Sequence, residues 1–261
     1  MKKNKKSPKI LLLDIETSPM MSFHWGLFDQ NIALNQVKEH TYILSWSAKW
    51  LGQKEIMYMD NRNAKHFSDD KKVVEGLVKL LDQCDYAVGH NIKRFDNKKI
   101  NYRCIVHGIK KPSSYDLIDT LTIAKRSFAF DSNKLEHLAK ILKVKNKKMT
   151  KREFAGFDLW LECMAGNRRA WNEMKEYNIQ DTITLEDIYH KLQPWAKEVN
   201  FMHITETIEC GCGSDHLTKH SKKTNKTGVY QRWQCQSCGS LYTDKINLRE
   251  KGFNKKLLIK E

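Results

Sequence analysis

The sequence predicts an α/β layered domain followed by a second, much smaller unit, and three observations support this. The 261 residues are 40% hydrophobic and 10% aromatic, which is enough for a sizeable core. Up to residue 200, short apolar runs typical of strands are interspersed with helical periodicities. From residue 201, paired cysteines and polar turn residues replace aliphatic side chains, so this part cannot build a large core. We expect a disordered basic arm at 1–8, the α/β domain at 9–200 and the small unit at 201–261.

The α/β domain is predicted to begin with three strands. Residues 9–15 (KILLLDI) form an apolar run typical of a buried strand, and Thr17-Ser18-Pro19 ends it. Residues 42–50 and 55–59 are rich in aromatic and aliphatic side chains. Because only a short link separates these two runs, they predict an antiparallel hairpin.

Helices and one more strand are expected after residue 70. Apolar side chains recur at helical spacing over 73–81, and residues 85–89 are typical of a short strand. Further helices are predicted at about 95–107, 115–126, 132–142 and 170–192. Ser132 is the expected N-cap of its helix. This order excludes a repeat array or a coiled coil.

Positive charge is concentrated near both ends of the chain. The formal charge is +15; residues 1–9 contain five lysines and no acid, and residues 201–261 contain 11 basic and 6 acidic residues. This distribution favours nucleic acid as a partner, with solubility alone as the alternative. Residues 143–152 hold six basic side chains, including Lys147 and Lys148, and predict an exposed loop that contacts phosphate or is simply solvated.

Apolar runs in the sequence are short. The longest, Ile10–Leu13, is cut off by Asp14, so neither a transmembrane helix nor a signal peptide fits. We therefore expect no membrane partner and a cytoplasmic location. There the seven cysteines are more typical of thiols or metal ligands than of disulfides.

Acidic side chains occur at three separated positions that could form one site. Asp14 and Glu16 lie two residues apart on the first strand and therefore project from the same face. Their mutual repulsion would be relieved by a divalent cation such as Mg²⁺ or Mn²⁺, although an ordinary acidic turn is the alternative. Asp96 begins a predicted helix, and Asp181 lies one helical turn after Tyr177. Phosphodiester hydrolysis with two metal ions requires several acidic ligands, which separate elements of the fold can bring together.

These motifs resemble those of a known family. Asp14-x-Glu16, then Asn91-x-x-x-Phe95-Asp96, then Tyr177-x-x-x-Asp181 are similar, in the same order, to the three motifs of the DnaQ-like 3′–5′ exonucleases of the ribonuclease H-like superfamily. The resemblance spans about residues 10–190 and implies a ribonuclease H-like mixed sheet flanked by helices. The segment 25–32 (WGLFDQNI) further resembles a bacteriophage branch of this group.

The resemblance implies roles for the matched residues. Asp14, Glu16 and Asp181 would hold the cation that activates water, and Asp14 would also bridge to a second cation that Asp96 supports. Tyr177 matches the tyrosine subtype of the family and would orient the attacking water, since a phenol with a pKa of about 10 is a poor base. The cofactors would be two Mg²⁺ or Mn²⁺ ions, and the products nucleoside 5′-monophosphates. A purely structural tyrosine is the alternative for this position.

Other polar and aromatic residues are candidates for nucleic-acid contact or for structural roles. Trp25 and Phe28 could stack on nucleobases or pack in the core. Asn91, in the second motif, is a candidate for nucleic-acid contact. Asp116 and Asp119 are expected to be helix-start or packing residues rather than metal ligands.

The second unit contains two close cysteine pairs that resemble a zinc ribbon. The candidate ligands of one structural Zn²⁺ are Cys210, Cys212, Cys235 and Cys238. Because the first pair is Cys-x-Cys rather than Cys-x-x-Cys, His216 or His220 could replace one of its cysteines. Arg232, in the segment between the pairs, could grip nucleic acid or dock on the first domain.

The resulting hypothesis is a metal-dependent 3′–5′ exonuclease that acts on DNA. The resemblance implies a role in phage replication, repair or recombination in the host cytoplasm, with a polymerase or another replication protein as a possible partner. The alternatives are an exoribonuclease with the same chemistry and a noncatalytic nucleic-acid-binding accessory protein. A zinc-ribbon transposase fits the motifs less well.

Overall fold

The computed structural model describes residues 7–145 and 152–249, and these form two compact units. The first unit is Lys9–Lys191, and the second begins at Leu192. Of the predicted nucleic-acid contacts, Lys147 and Lys148 lie outside the described residues, as does most of the expected arm at 1–8. Within the described ranges, no helix combines the length and apolar character needed to cross a bilayer.

The first unit is built on a five-stranded mixed sheet. Its strands are β1 (Ile10–Thr17), β4 (Ile43–Trp50), β5 (Ile56–Asp60), β6 (Tyr86–Gly89) and β7 (Asp116–Asp119), in the order β5-β4-β1-β6-β7. Strands β1, β4 and β5 pair antiparallel, whereas β6 lies parallel to both β1 and β7. Two short strands, β2 (Met21–Ser22) and β3 (Val37–Glu39), form a separate ribbon. The predicted mixed sheet flanked by helices is thus confirmed.

Helices cover both faces of this sheet. They are α1 (Lys71–Leu81), α2 (Asp96–Val106), α3 (Thr120–Ser127), α4 (Leu135–Ile141), α5 (Asp158–Met164) and α6 (Arg168–Leu192). Leu11, Leu13 and Ile15 of β1 face a core cluster with α1 and α2, and α5 and α6 share a second cluster with β4. Because side chains alternate along a strand, Asp14 and Glu16 point to the opposite face from Leu13 and Ile15.

Two predicted helices begin later than the sequence indicated. The helix expected from residue 115 starts at Thr120, because Asp116–Asp119 pairs in parallel with β6 as a fifth strand. The N-cap of α4 is Lys134 rather than Ser132, whose hydroxyl accepts a hydrogen bond from the backbone N–H of Lys134 (3.3 Å). In both places, tertiary pairing or a local turn overrides a short run of helical periodicity.

The second unit is a small antiparallel sheet with one short helix. Its elements are α7 (Met202–Thr205), β8 (Leu217–Asn225), β9 (Gly228–Cys235) and β10 (Leu241–Asn247), and the strand order is β10-β9-β8. Strands β8 and β9 pair as an antiparallel hairpin between the two cysteine pairs. The third strand, β10, follows the second pair.

Candidate active site

Three carboxylates from two elements meet on the face of the sheet covered by α6. Asp14 and Glu16 come from β1 and Asp181 from α6, and one carboxylate oxygen of each lies within 4.8 Å of the others. The two-residue spacing on β1 predicted that Asp14 and Glu16 would share a face. The family resemblance grouped Asp181 with them, and in the structure Asp181 is buried within the same cluster.

Buried hydrogen bonds between β4 and α6 hold Asp181 at this position. The Ser47 hydroxyl donates to the backbone carbonyl of Asn178 (2.7 Å) and also contacts the hydroxyl of Thr182. Farther along both elements, Lys49 forms an ion pair with Glu186. Because these contacts recur along α6, they fix which turn of the helix faces β1.

Asn178 connects the contacts between β4 and α6 to the acidic cluster. The sequence analysis did not identify this residue. Its side-chain amide donates to Oδ2 of Asp14 (2.6 Å), and its Oδ1 accepts from the Ser45 hydroxyl (3.3 Å). Asn178 is fully buried, so the amide is oriented by protein groups alone. The only signal in the sequence is its place between Tyr177 and Asp181, which does not predict an inward-facing amide.

The electrostatics of Asp14 show a concentration of negative charge at this site. Burial raises the pKa of this carboxyl well above its usual value, and repulsion from Glu16, Asp96 and Asp181 raises it further; the hydrogen bond from Asn178 opposes the shift. Clustered carboxylate oxygens are hard ligands of the kind that Mg²⁺ and Mn²⁺ prefer. The donor set and its unbalanced negative charge therefore fit a divalent cation.

Asp96 lies next to this cluster but is not one of the three converging oxygens. At the start of α2 it accepts a hydrogen bond from the backbone N–H of Ile15 (3.2 Å), which places it beside β1. Burial raises its pKa to about 7, with a smaller contribution from Asp119, while hydrogen bonds from backbone N–H groups lower it. Asp96 therefore lies outside the group of three converging oxygens, but its negative charge raises the pKa of Asp14.

Tyr177 presents a neutral phenol to the cluster. Burial raises its pKa far above the usual value, and Asp181, Glu16 and Asp14 add to the shift, as does its hydrogen bond with Asp181. Its ring packs edge-on against Trp160, with centroids 5.8 Å apart. This side chain can donate and orient a hydrogen bond, but it cannot serve as a base near neutral pH.

Asp119 organises the loop between β6 and α2. It caps α3, as expected of a helix-start residue, by accepting from the backbone N–H groups of Leu121 and Thr122. Its carboxylate also accepts from the backbone N–H groups of Asn91 (3.0 Å) and Lys93 (3.2 Å), a role that sequence reasoning missed. Asn91 has a φ of 76°, a left-handed conformation that asparagine tolerates better than most residues. By contrast, Asp116 is exposed and begins β7.

The other predicted nucleic-acid contacts are spread over different parts of the chain. Trp25 and Phe28 lie between β2 and β3, with 99% and 83% of their surface exposed, so the alternative of core packing is wrong for both. Arg232 is a half-buried residue of β9 in the second unit. Their contact with nucleic acid stays a prediction.

Four thiols converge in the second unit. One sulfur from each of Cys210, Cys212, Cys235 and Cys238 lies within 4.8 Å of the others. Burial opposes ionisation of Cys235, but the N–H groups of Cys238 and Ser237 and the neighbouring thiols lower its pKa to about 6. Four thiolates satisfy tetrahedral Zn²⁺, so this cluster is compatible with a zinc ribbon.

Neither histidine alternative belongs to the cluster of sulfurs. His216 is exposed, and its Nε2 lies 3.5 Å from a carboxylate oxygen of Asp215. His220 is also exposed, and its Nδ1 contacts the hydroxyl of Ser221 at 3.0 Å. The thiol of Cys210 instead accepts a hydrogen bond from the Tyr242 hydroxyl (3.2 Å).

Comparison with known proteins identifies a family and structural similarity to solved proteins. A protein-family model described as the RNase_H superfamily matches residues 11–193. A family B DNA polymerase from the hyperthermophilic archaeon Pyrobaculum calidifontis is structurally similar, with a TM-score of 0.51 and 12% sequence identity. The likeness covers 84% of this chain but only 31% of the polymerase, and at this identity it concerns the fold alone. No curated protein matches the sequence.

Proposed function

Since this chain belongs to the RNase_H superfamily, we propose that it is a metal-dependent 3′–5′ exonuclease that hydrolyses DNA to nucleoside 5′-monophosphates. The observation that supports this most directly is the convergence of Asp14, Glu16 and Asp181 within 4.8 Å. The order and spacing of the acidic motifs support the exonuclease class and its tyrosine subtype. The preference for DNA, the polarity of digestion, the phage origin and a polymerase partner rest on the family resemblance.

The proposed mechanism assigns the acidic cluster to cation binding. Asp14, Glu16 and Asp181 would hold the cations, with Asp96 supporting the site through its proximity to Asp14. Bound divalent cations supply a more acidic water and offset charge that develops on the phosphate. Asn178 would keep one oxygen of Asp14 fixed, leaving the other directed toward the cluster.

Tyr177 would orient the attacking water. Its neutral phenol can hold a hydrogen bond in one direction because the ring is packed against Trp160. As its pKa is raised, the phenol stays protonated throughout the working pH range. Its contribution would therefore be geometric, and Tyr177→Phe should lower the rate without changing the pH at which activity appears.

The second unit is proposed to be a zinc ribbon at 201–261 that helps to hold substrate. Its β8–β9 hairpin contains exposed lysines, including Lys219, Lys222 and Lys223. We expect one equivalent of zinc in the purified protein, and release of that zinc when the four cysteines are titrated with a thiol reagent. A metal content of zero after purification with added zinc would exclude this assignment.

Labelled oligonucleotides test the proposed activity. Stepwise shortening of 5′-labelled DNA should require Mg²⁺ or Mn²⁺, stop with chelator and be lost in Asp14→Ala. Asp116→Ala is a matched control because it removes an exposed acid from the same sheet. Parallel RNA substrates distinguish the exoribonuclease alternative, whereas binding without cleavage under every metal condition would favour an accessory protein.

A further inference from the structure

Arg152 lies directly over the ring of Tyr177. Its guanidinium carbon is 4.2 Å from the ring centroid, a distance typical of a cation–π contact. Arg152 is also the last residue of the basic run 143–152. We infer that Arg152 binds a phosphate group of the nucleic acid beside the acidic cluster, an inference that rests on the proposed function and extends it to a specific substrate contact.

The residues that follow Arg152 are fastened to α6. The backbone N–H of Glu153 donates to a carboxylate oxygen of Glu173 (2.8 Å), and the N–H of Phe154 donates to the same carboxylate. The side chain of Glu153 forms an ion pair with Arg169 at 2.9 Å. Phe154 packs against the core cluster that contains Tyr177. These contacts fix the backbone adjacent to Arg152.

The fastening points and the active-site residues lie on one stripe of α6. Arg169, Glu173, Tyr177 and Asp181 are spaced four residues apart, and residues with this spacing share a helix face. Residues 152–154 therefore lie along the same face of α6 that presents Tyr177 and Asp181. Since the Tyr177 phenol is hydrogen-bonded to Asp181, the guanidinium over the same ring lies next to that cluster.

The contact with the ring leaves Arg152 able to bind phosphate. A cation–π contact uses no N–H group as a hydrogen-bond donor to an oxygen, so the guanidinium N–H groups can make a bidentate contact with phosphate oxygens. Of the acids beside this segment, Glu153 is paired with Arg169, and Glu173 accepts hydrogen bonds from the backbone N–H groups of Glu153 and Phe154. Arg152 is half-buried, which weakens screening by salt.

The acidic cluster creates a need for such a cation. Asp14, Glu16 and Asp181 converge within 4.8 Å, with Asp96 beside them, and this group of acids repels a polyanion. Cations bound by the cluster would neutralise it only in part once a phosphodiester approaches. A fixed guanidinium at its edge would attract the phosphate chain toward the site and hold it in register.

A merely structural role for Arg152 is the competing explanation. In that case the guanidinium would support the ring of Tyr177 and make no contact with substrate. The two roles differ in what they change: a phosphate contact alters affinity and its salt dependence, whereas support of Tyr177 alters the rate of cleavage alone.

The test compares Arg152→Gln, Arg152→Lys and the control Lys175→Gln. Lys175 is an exposed residue of α6 whose ammonium lies 5.6 Å from the ring centroid of Tyr58, so its removal deletes one charge and one cation–π contact elsewhere. Affinity for a 5′-fluorescein single-stranded DNA oligonucleotide is measured by anisotropy over a range of salt concentrations, with Ca²⁺ replacing Mg²⁺. Cleavage is measured separately with Mg²⁺ under single-turnover conditions.

We expect Arg152→Gln to weaken binding by about tenfold, as loss of one charge-assisted contact would. The slope of log affinity against log salt should fall by about 0.7, the value for one phosphate contact on a single strand. Arg152→Lys should keep the slope, because it keeps the positive charge. Its affinity should lie between those of Arg152→Gln and the wild type, because an ammonium lacks the paired N–H donors of a guanidinium. Lys175→Gln should match the wild type.

Unchanged affinity and slope in Arg152→Gln would overturn the inference, even if cleavage became slower. The inference would also be overturned if Lys175→Gln weakened binding as much as Arg152→Gln, since the loss would then come from the lower net charge and not from a specific contact. Circular dichroism and the thermal midpoint verify that each variant is folded. If the wild-type protein bound DNA without cleaving it, the proposed function would fail, whereas the affinity comparison would still decide the role of Arg152.

Discussion

At the scale of single residues, the acidic cluster depends on an uncharged neighbour. Asn178 donates to Oδ2 of Asp14 and is itself held by Ser45 and Ser47. Such outer contacts determine which lone pairs of a ligand carboxylate face a bound ion. Asn178 is therefore placed to orient Asp14 at the proposed cation site.

Replacing Asn178 by Ala should weaken the cation site. The change frees one oxygen of Asp14 to rotate and leaves its charge with less stabilisation, so we expect activity and metal affinity to fall by about 10- to 100-fold. Titration of nuclease activity with Mg²⁺ measures the effect. Asn172→Ala, on an exposed turn of the same helix, is the control, and an unchanged Mg²⁺ requirement for Asn178→Ala would contradict this role.

The raised pKa of Asp96 predicts a pH-dependent stability of the metal-free protein. Between about pH 4, the usual Asp value, and about pH 7, the folded protein keeps a proton that the unfolded chain has lost. Stability therefore falls as the pH rises through this window, and the full cost is present above pH 7. Asp96→Asn removes that cost while its oxygen can still accept from Ile15.

The measurement is the thermal midpoint of Asp96→Asn minus that of the wild type, in chelator. We expect a small difference near pH 4 that becomes increasingly positive through about pH 7. The exposed Asp116→Asn should show no such trend. A difference for Asp96→Asn that is constant with pH would mean that its pKa is not raised.

At the scale of elements, the site is assembled by the ends of β1 and β6 and by one face of α6. Strand β6 ends at Gly89, where the chain turns back so closely that an added Cβ would lie 2.7 Å from Cβ of Ile92. Asp119 stabilises this turn because its carboxylate accepts hydrogen bonds from backbone N–H groups of both the β6–α2 loop and the start of α3. This acid positions Asp96 indirectly, by fixing the loop that precedes α2.

Asp119→Ala should destabilise the first unit by about 2 kcal/mol, because it removes a helix cap and leaves four N–H groups without their acceptor. Chemical denaturation measures this loss. Asp116→Ala, at the exposed start of the same strand, should change stability by less than about 0.5 kcal/mol. Equal effects of the two variants would exclude the proposed role of Asp119.

At the scale of the whole molecule, the acidic cluster and the basic C-terminal segment lie in different units. The acidic cluster lies in Lys9–Lys191, whereas residues 201–261 contain 11 basic residues against 6 acidic ones. A unit with that charge favours nucleic-acid affinity that depends strongly on salt. The domain boundaries at 8/9 and 200/201 stay a proposal, as does a nucleic-acid role for the second unit.

Ending the chain at residue 200 should lower the affinity for DNA without lowering the rate of cleavage at saturating substrate. We expect weaker DNA binding with a flatter salt dependence, because each lost phosphate contact removes about 0.7 from the slope on single strands. Cleavage of short oligonucleotides at saturating concentration should be spared. Full affinity with an unchanged slope would show that the second unit does not hold substrate.

The sequence predicted much of the fold because local patterns were strong where the chain is buried on one side or both. The apolar run at Ile10–Ile15, the hairpin and the long helix α6 were all indicated by spacing alone. The helix expected from residue 115 was wrong at its start, because Asp116–Asp119 becomes a strand only by pairing with β6. Four residues of local sequence contain no signal for that distant partner.

By itself, the sequence determined which acids are available and which of them share a face, since the spacing of Asp14 and Glu16 on a strand and of Tyr177 and Asp181 on a helix follows from backbone geometry. Only the tertiary structure decided which neutral and basic groups surround them. Asn178 is 164 positions away from Asp14, and Arg152 reaches Tyr177 only because its segment is pinned to α6. Such contacts depend on how two elements pack, and packing is set by the whole core rather than by any local pattern.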